Sequence, residues 1–335
     1  MPCSRNANTA LNILLVTDGK PGHLNQLKGL LFQLQNLAQV TARWVNVNDR
    51  ESAWLKNSWL RCFTRQKGDF TPDIVIGAGR KTQKQVLILG RHAQTCILMK
   101  PHLPLFLFDY AIIPAHDNVA ERKNVLTTEG VLNQVRPQTA CPATGHAEAR
   151  AGQHPPGLML IGGESRHYEW SGASIISQVV SLVSNSQRHW HLTNSRRTPD
   201  EFLPELRQQL AENNLAGRVS VFPHDTTGPD WLTNQYQCAE EIWVTPDSVS
   251  MVYEAITSGA ATGLFDMTPL KTGRIVTGIN KLIEHHRVTP FACWKRSGKV
   301  HRTREGTAFC EAERAARWLL EQLRVNPGEK EKSTG

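Results

Sequence analysis

The chain has 335 residues, of which 40% are hydrophobic and 20% charged, with a formal net charge of +8. That length exceeds one ordinary core and points to two domains, and the composition excludes a disordered chain. No apolar run approaches the ~18–20 residues that cross a bilayer, and the start, Met1-Pro2-Cys3-Ser4-Arg5-Asn6, lacks a signal peptide's apolar stretch, so a cytoplasmic protein is expected.

The elements then alternate. Leu11–Val16 reads as a buried strand, and leucines at 24, 27, 30, 31, 34 and 37 recur at helical spacing. A strand over 40–47, a helix through Trp54 and Trp59, a strand over 73–77, a helix over 82–92 and a strand over 96–99 follow. Strands separated by helices imply βαβ units and a parallel sheet. Residues 134–157 are rich in proline, glycine and alanine and break the alternation as a linker. Beyond them come strand 158–161, helix 174–183, strand 189–192, helix 199–213, strand 219–222, a turn-rich stretch over 223–229, strand 241–244, helix 248–258, strand 261–265, helix 278–285 and a last helix over 308–323. The expected architecture is α/β, with two doubly wound Rossmann-like domains facing a cleft. A first domain spans 1–136, a linker 137–156 and a second domain 157–323, whose last helix can pack back on the first domain. A disordered tail covers 324–335.

The seven cysteines, at 3, 62, 96, 141, 238, 293 and 310, form no CxxC pair and no regular spacing. They read as reduced thiols, outside any disulfide framework or zinc site. The positive charge favours anionic partners such as phosphates or acidic lipid headgroups. The cations are spread along the chain rather than interleaved with aromatics in blocks, so no nucleic-acid partner is expected.

Two strand–turn–helix segments carry the chemistry. Asp18-Gly19-Lys20-Pro21-Gly22-His23 matches neither GxGxxG nor GxxxxGK[ST]. It nevertheless lies at a strand's carboxyl end, where open α/β sheets hold ligands. Gly19 and Gly22 allow close backbone approach, Lys20 can meet a phosphate, and His23 suits acid/base work, with Asn25 and Gln26 adding polar groups. In the second segment Asp247 or Ser248 can cap a helix, and Ser250 lies in its first turn. Glu254 follows, a carboxylate able to take ribose hydroxyls while the turn holds phosphate. Gly162-Gly163 offers a second close backbone approach. Ser195-Arg196-Arg197-Thr198 ends another strand with hydroxyls and two diphosphate clamps. Arg80 and Lys81, after Gly79, are their counterparts in the first half.

Taken together, Asp18 through Gln26, Gly79-Arg80-Lys81-Thr82, Ile161-Gly162-Gly163, Ser195 through Pro199 and Thr245 through Met251 are specific. In this order, over residues 12–323, the chain resembles the GT-B-type glycosyltransferase-like family named after a plant mitochondrial-fission factor, which has bacterial members. It is more distantly similar to the lipid-linked N-acetylglucosaminyltransferase of peptidoglycan synthesis, whose Gly-x-x-Gly-His turn corresponds to Gly19 through His23 and whose ribose-binding glutamate corresponds to Glu254. The chain departs from that enzyme in Lys20-Pro21 and in the single acidic turn residue, Asp18. The resemblance implies an inverting, metal-independent transferase with no cofactor beyond its nucleotide-sugar substrate. His23 or Asp18 would deprotonate the acceptor hydroxyl, and the second domain would hold the donor. The first domain would take the acceptor, whose identity does not carry over from that enzyme; the basic surface favours a saccharide or lipid-linked acceptor of cell-envelope synthesis at the inner membrane. A nucleotide-sugar epimerase of the same fold and a non-catalytic adaptor are the alternatives.

Overall fold

The computed structural model describes residues 10–48, 70–117, 119–138, 155–228, 230–302 and 309–325. The expected helix at Trp54 and Trp59, the middle of the linker and the tail from 326 lie outside them. The chain divides into two compact units, one of residues 1–134 with 310–335 and the other of 135–309.

In the first unit β1 (Leu11–Thr17) leads into α1 (Pro21–Leu37) and β2 (Val40–Asn46). After β3 (Ile74–Ala78) come α2 (Gln83–Leu89), β4 (Gln94–Leu98), β5 (Tyr110–Pro114) and β6 (Val125–Thr128). All six strands are parallel, in the order β2-β1-β3-β4-β5-β6. Both faces are buried, and strand alternation divides them. Ile13, Leu15, Ile74, Ile76 and Ala78 join α1 in one core, whereas Val16, Val75, Ile97 and Ile113 join Val86 of α2 in the other. Strands β5 and β6 escape the sequence pattern because no helix separates β4 from β5; a single 3₁₀ turn, Leu105–Leu107, lies between them.

The second unit runs β7 (Gly157–Leu160), α3 (Gly172–Ser184), β8 (Trp190–Thr193), α4 (Phe202–Glu212) and β9 (Val219–Phe222). It continues with α5 (Trp231–Cys238), β10 (Glu241–Val244), α6 (Val249–Ser258), β11 (Ala261–Leu264), α7 (Arg274–Glu284), β12 (Thr289–Pro290) and α8 (Phe291–Ser297). Helices α5 and α8 are short additions to the expected series. The parallel strands lie in the order β12-β11-β10-β7-β8-β9, the doubly wound order of dinucleotide-binding sheets. Trp190 and Trp243 are fully buried in its core, each lying against a glycine, Gly157 and Gly263 respectively.

The closing helix, α9 (Glu311–Val325), belongs to the first unit's core rather than the second's. Its buried residues Ala312, Ala315, Ala316 and Leu319 pack with Leu27, Leu30 and Leu34 of α1. The small alanines allow the two helices to approach closely. Glu311 fixes the helix start by accepting from the Glu129 amide at 2.8 Å and pairing with Arg314 at 2.6 Å. Among the described residues no helix is long and apolar enough to cross a membrane. Cys96 and Cys310 are buried free thiols, and Cys293 is exposed. Cys238 is disulfide-bonded, contrary to the expectation of reduced thiols throughout.

Candidate functional site

Strand order reverses between β1 and β3 in the first sheet and between β7 and β10 in the second. At such a switch point adjacent loops leave in opposite directions and open a crevice at the strands' carboxyl ends. The motifs that begin at Asp18, Gly79, Ile161 and Thr245 follow these four strands, and Ser195 through Pro199 follows β8, which pairs with β7.

In the first unit Pro21 opens α1, where its fixed φ and missing N–H suit the first helical position. Gly19 adopts φ 75, and its amide donates to Thr17 Oγ1 at 3.1 Å. The turn returns His23 onto Asp18, with 2.8 Å between Nδ1 and Oδ1. The Asp18 side chain is 1% exposed and that of His23 20%. Burial alone would raise the Asp18 carboxyl. The His23 hydrogen bond, the Lys20 amide and the nearby positive charges outweigh it and hold the group below its ordinary value. An ionised Asp18 only accepts, so Nδ1 carries the shared proton, and in the neutral form of the ring the lone pair is on Nε2. Asn48 donates to the Asp18 carbonyl. After β3, Gly79 has φ 94 and ψ 164, and a methyl built there would lie under 3.0 Å from His23 Nδ1 and Cε1. The ring is thus held between Asp18 and a glycine backbone.

The other predicted residues of this unit separate into two groups. Lys20, Arg80 and Lys81 are exposed at the same carboxyl end. Gln26 is buried and donates to Met99 Sδ at 3.2 Å, while Asn25 accepts from Gln134 at 2.9 Å. These two are tied to neighbouring chain.

In the second unit Asp247 does not cap α6, and Ser248, at the N-cap, makes no side-chain cap bond either. Asp247, its side chain fully buried, turns to Gly163 N at 3.0 Å and Arg197 Nη2 at 2.7 Å. Its charge adds to burial in pushing the Tyr168 hydroxyl up to about 12. A methyl on Gly162 would fall on the Asp247 carboxylate, and one on Gly163 on the Arg197 backbone. Thr245 Oγ1 accepts from Gly162 N at 2.7 Å, and Ser195 Oγ donates to Gly162 O at 2.9 Å. Thr198 Oγ1 also donates to Gly162 O, and it accepts from the Ser195 amide at 2.9 Å. Arg197 further donates through Nη1 to Glu164 O at 2.8 Å. Ser195, Arg197, Thr198 and Asp247 therefore hold the Gly162-Gly163 turn. Arg196 is exposed and has no such partner among the described residues, and Ser250 is exposed in the first turn of α6. Glu254 is half-buried, one of its oxygens accepting from Tyr236 OH at 2.9 Å.

Sequence reasoning missed Gly79 as the backing of His23, Thr245 as the anchor of Gly162, and Tyr236 as the support of Glu254. Gly79 and Thr245 each open a quoted motif, though in another role, whereas Tyr236 stands on a helix with no signal at all. Each carboxylate, Asp18 and Asp247, keeps one buried oxygen without a hydrogen-bond partner (Oδ2 and Oδ1 respectively). Among the described residues no group of three or more His, Cys, Asp or Glu side chains is placed to hold a metal ion.

A Rickettsia prowazekii protein of uncharacterized function is 24% identical, covering 76% of this chain and 83% of its own. A Listeria monocytogenes protein assigned as a UDP-N-acetylglucosamine 2-epimerase superposes with a TM-score of 0.58 at 10% identity, covering 98% of this chain and 100% of that one. The UDP-GlcNAc 2-epimerase of Methanocaldococcus jannaschii gives 0.53 at 11% identity, covering 93% and 100%. The glycotransferase of kitacinnamycin gives 0.52 at 12%, covering 94% and 100%. The fold is thus the α/β type that glycosyltransferases of the GT-B class share with these epimerases. The family model described as Mitochondrial fission ELM1 matches residues 21–323, and the chain belongs to that family.

Proposed function

We propose that this chain is an inverting, metal-independent glycosyltransferase that moves a sugar from a nucleotide-diphosphate donor to the hydroxyl of a saccharide or lipid-linked acceptor, in envelope glycan synthesis at the inner-membrane surface. The observation that carries the reading is the Asp18–His23 pair at a sheet switch point. Asp18 is too buried to take a proton from a substrate, so His23 is the base and Asp18 its positioning residue. The acceptor O–H gives its proton to Nε2 as the oxygen bonds the anomeric carbon. The bond from that carbon to the diphosphate oxygen breaks, and the diphosphate leaves with the electron pair. General-base assistance of this kind is worth ~10²–10⁴-fold.

The second unit supplies the donor contacts. The uncapped start of α6, with Ser248 and Ser250, offers amides and hydroxyls to the diphosphate, and Arg196 adds charge. Glu254, steadied by Tyr236, accepts from the ribose. Gly162 and Gly163 let the donor approach the backbone. In the first unit Lys20, Arg80 and Lys81 favour an anionic acceptor such as a phosphorylated lipid carrier.

Two of the compared folds are UDP-GlcNAc 2-epimerases, which favours a second reading, epimerisation of the donor sugar with no acceptor. Thermal shift with UDP, ADP, GDP and CMP, on wild type and Glu254→Ala, selects the nucleotide. Ligand a hundredfold above its dissociation constant stabilises by ~2.7 kcal/mol. Conversion of the matching sugar nucleotide without acceptor supports the epimerase, and turnover only with acceptor supports the transferase. A protein that no nucleotide shifts is an adaptor, and both enzymatic readings fall.

A further inference from the structure

From Arg80 to Phe108 the chain contains no carboxylate, while Arg80, Lys81, Lys84, Arg91 and Lys100 fall within it. The same segment displays apolar side chains to solvent. The exposed large hydrophobics among the described residues are Trp44, Ile88, Phe106, Leu107 and Leu270, and three of them lie here. Phe106, on the 3₁₀ turn between β4 and β5, is 76% exposed, the highest of the group, and Leu107 is 42% exposed. The loop is anchored rather than loose. Gln83 Oε1 accepts from the His102 and Leu103 amides at 3.2 and 3.1 Å, Leu103 and Leu105 pack on the core, and Phe108 is buried. Its root therefore adjoins the start of α2, where Lys81 and Lys84 are exposed on one stripe with Ile88.

An apolar tip on an anchored base, in a run of chain that carries five cations and no carboxylate, matches the two layers of an anionic bilayer. The cations meet the headgroups and the aromatic ring enters the boundary below them. We infer that the loop 101–108, with Lys84 and its neighbours, is a docking surface for anionic lipid. The loop leaves the carboxyl end of β4, directly after Met99, whose sulfur accepts from Gln26 of the helix that carries His23. From there it crosses back toward the amino end of β4, where the Asp109 amide donates to Thr95 Oγ1 at 3.0 Å, so its tip lies on the face of the sheet that α2 covers. The inference deepens the reading of a lipid-linked acceptor and rests on it for its purpose, though not for its test.

The test is sedimentation of the purified full chain with vesicles of phosphatidylcholine alone and of an equimolar mixture with phosphatidylglycerol. Wild type binds the mixed vesicles and not the neutral ones, and added salt releases it. Phe106→Ser weakens binding about tenfold or more, and Lys84→Glu about fivefold or more. Both side chains are exposed, so unchanged thermal unfolding of the two variants accompanies the loss. Absence of binding to mixed vesicles overturns the inference, as does binding that neither substitution weakens or that neutral vesicles support equally. Lipid binding by a protein that no nucleotide shifts leaves this surface standing and removes the transferase reading instead.

Discussion

Replacing Gly79 by alanine tests the first-unit site through its geometry. The backbone there, φ 94 and ψ 164, belongs to a region open essentially to glycine alone, and a side chain in it costs ~1–3 kcal/mol. The new methyl also lands on the His23 ring, an overpacking worth ~1–3 kcal/mol. The two together come to roughly 2–6 kcal/mol, a large share of the ~5–15 kcal/mol that holds a protein folded. The ring escapes the methyl only by giving up its 2.8 Å bond to Asp18, so whatever activity depends on that pair falls with it. Urea unfolding at constant slope measures the stability loss. Gly22→Ala is the control: a methyl there meets nothing within 4 Å, and alanine in a helix is up to ~1 kcal/mol better than glycine. His23→Ala in the Gly79→Ala background removes the collision and leaves the backbone strain. The double variant should therefore be more stable than the sum of the singles by ~1–3 kcal/mol. A Gly79→Ala protein that unfolds at the wild-type midpoint, or a double variant that is simply additive, refutes the packing described for His23.

Three further outcomes follow from the same contacts. Arg197→Ala breaks the pair with buried Asp247 and lowers stability by ~1–3 kcal/mol, the half-exposed guanidinium moderating the loss, whereas Arg196→Ala leaves thermal unfolding unchanged and weakens only nucleotide-diphosphate binding. Equal melting losses in the two variants would contradict the separation of roles. Gly162→Ala forces a methyl onto the Asp247 carboxylate and costs ~1–3 kcal/mol, and Asp247→Ala in the same background should recover part of it by calorimetry. Asp18, whose carboxyl is held below its ordinary value of 3.8, contributes stability that is complete above that value and disappears as pH falls through the lower folded value. Asp18→Asn should thus flatten the acid limb of the stability curve below about pH 4, and an unchanged limb would show that the pair with His23 does not form.

Part of this site was legible from local pattern. Asp18 through His23 reads as strand, turn and helix because a buried apolar run stops at a polar glycine turn and Pro21 can only begin a helix. Gly162-Gly163 was legible likewise, as a turn ending a buried run. The division of labour at the second site was not. Arg196 and Arg197 are neighbours of one kind, and only the fold puts Asp247 and the Glu164 carbonyl beside the second of them. Asp247 misleads for the same reason. A carboxylate before a helix is ordinarily its cap, but here the switch point brings Gly163 and Arg197 within reach and they claim it.

The sequence by itself determined the alternation of buried strands and amphipathic helices, the two-sheet plan and the positions of the turns, since period, glycine and proline act over a few residues. The tertiary structure alone decided that the closing helix completes the first unit's core, where its alanine face meets the leucines of α1. It also decided that Gly79 backs His23, that Tyr236 steadies Glu254, and that Asp18 lies buried against the His23 ring. Each of these depends on strand order, because parallel pairing lays β3 beside β1 and β10 beside β7, and no local pattern states which strands are neighbours.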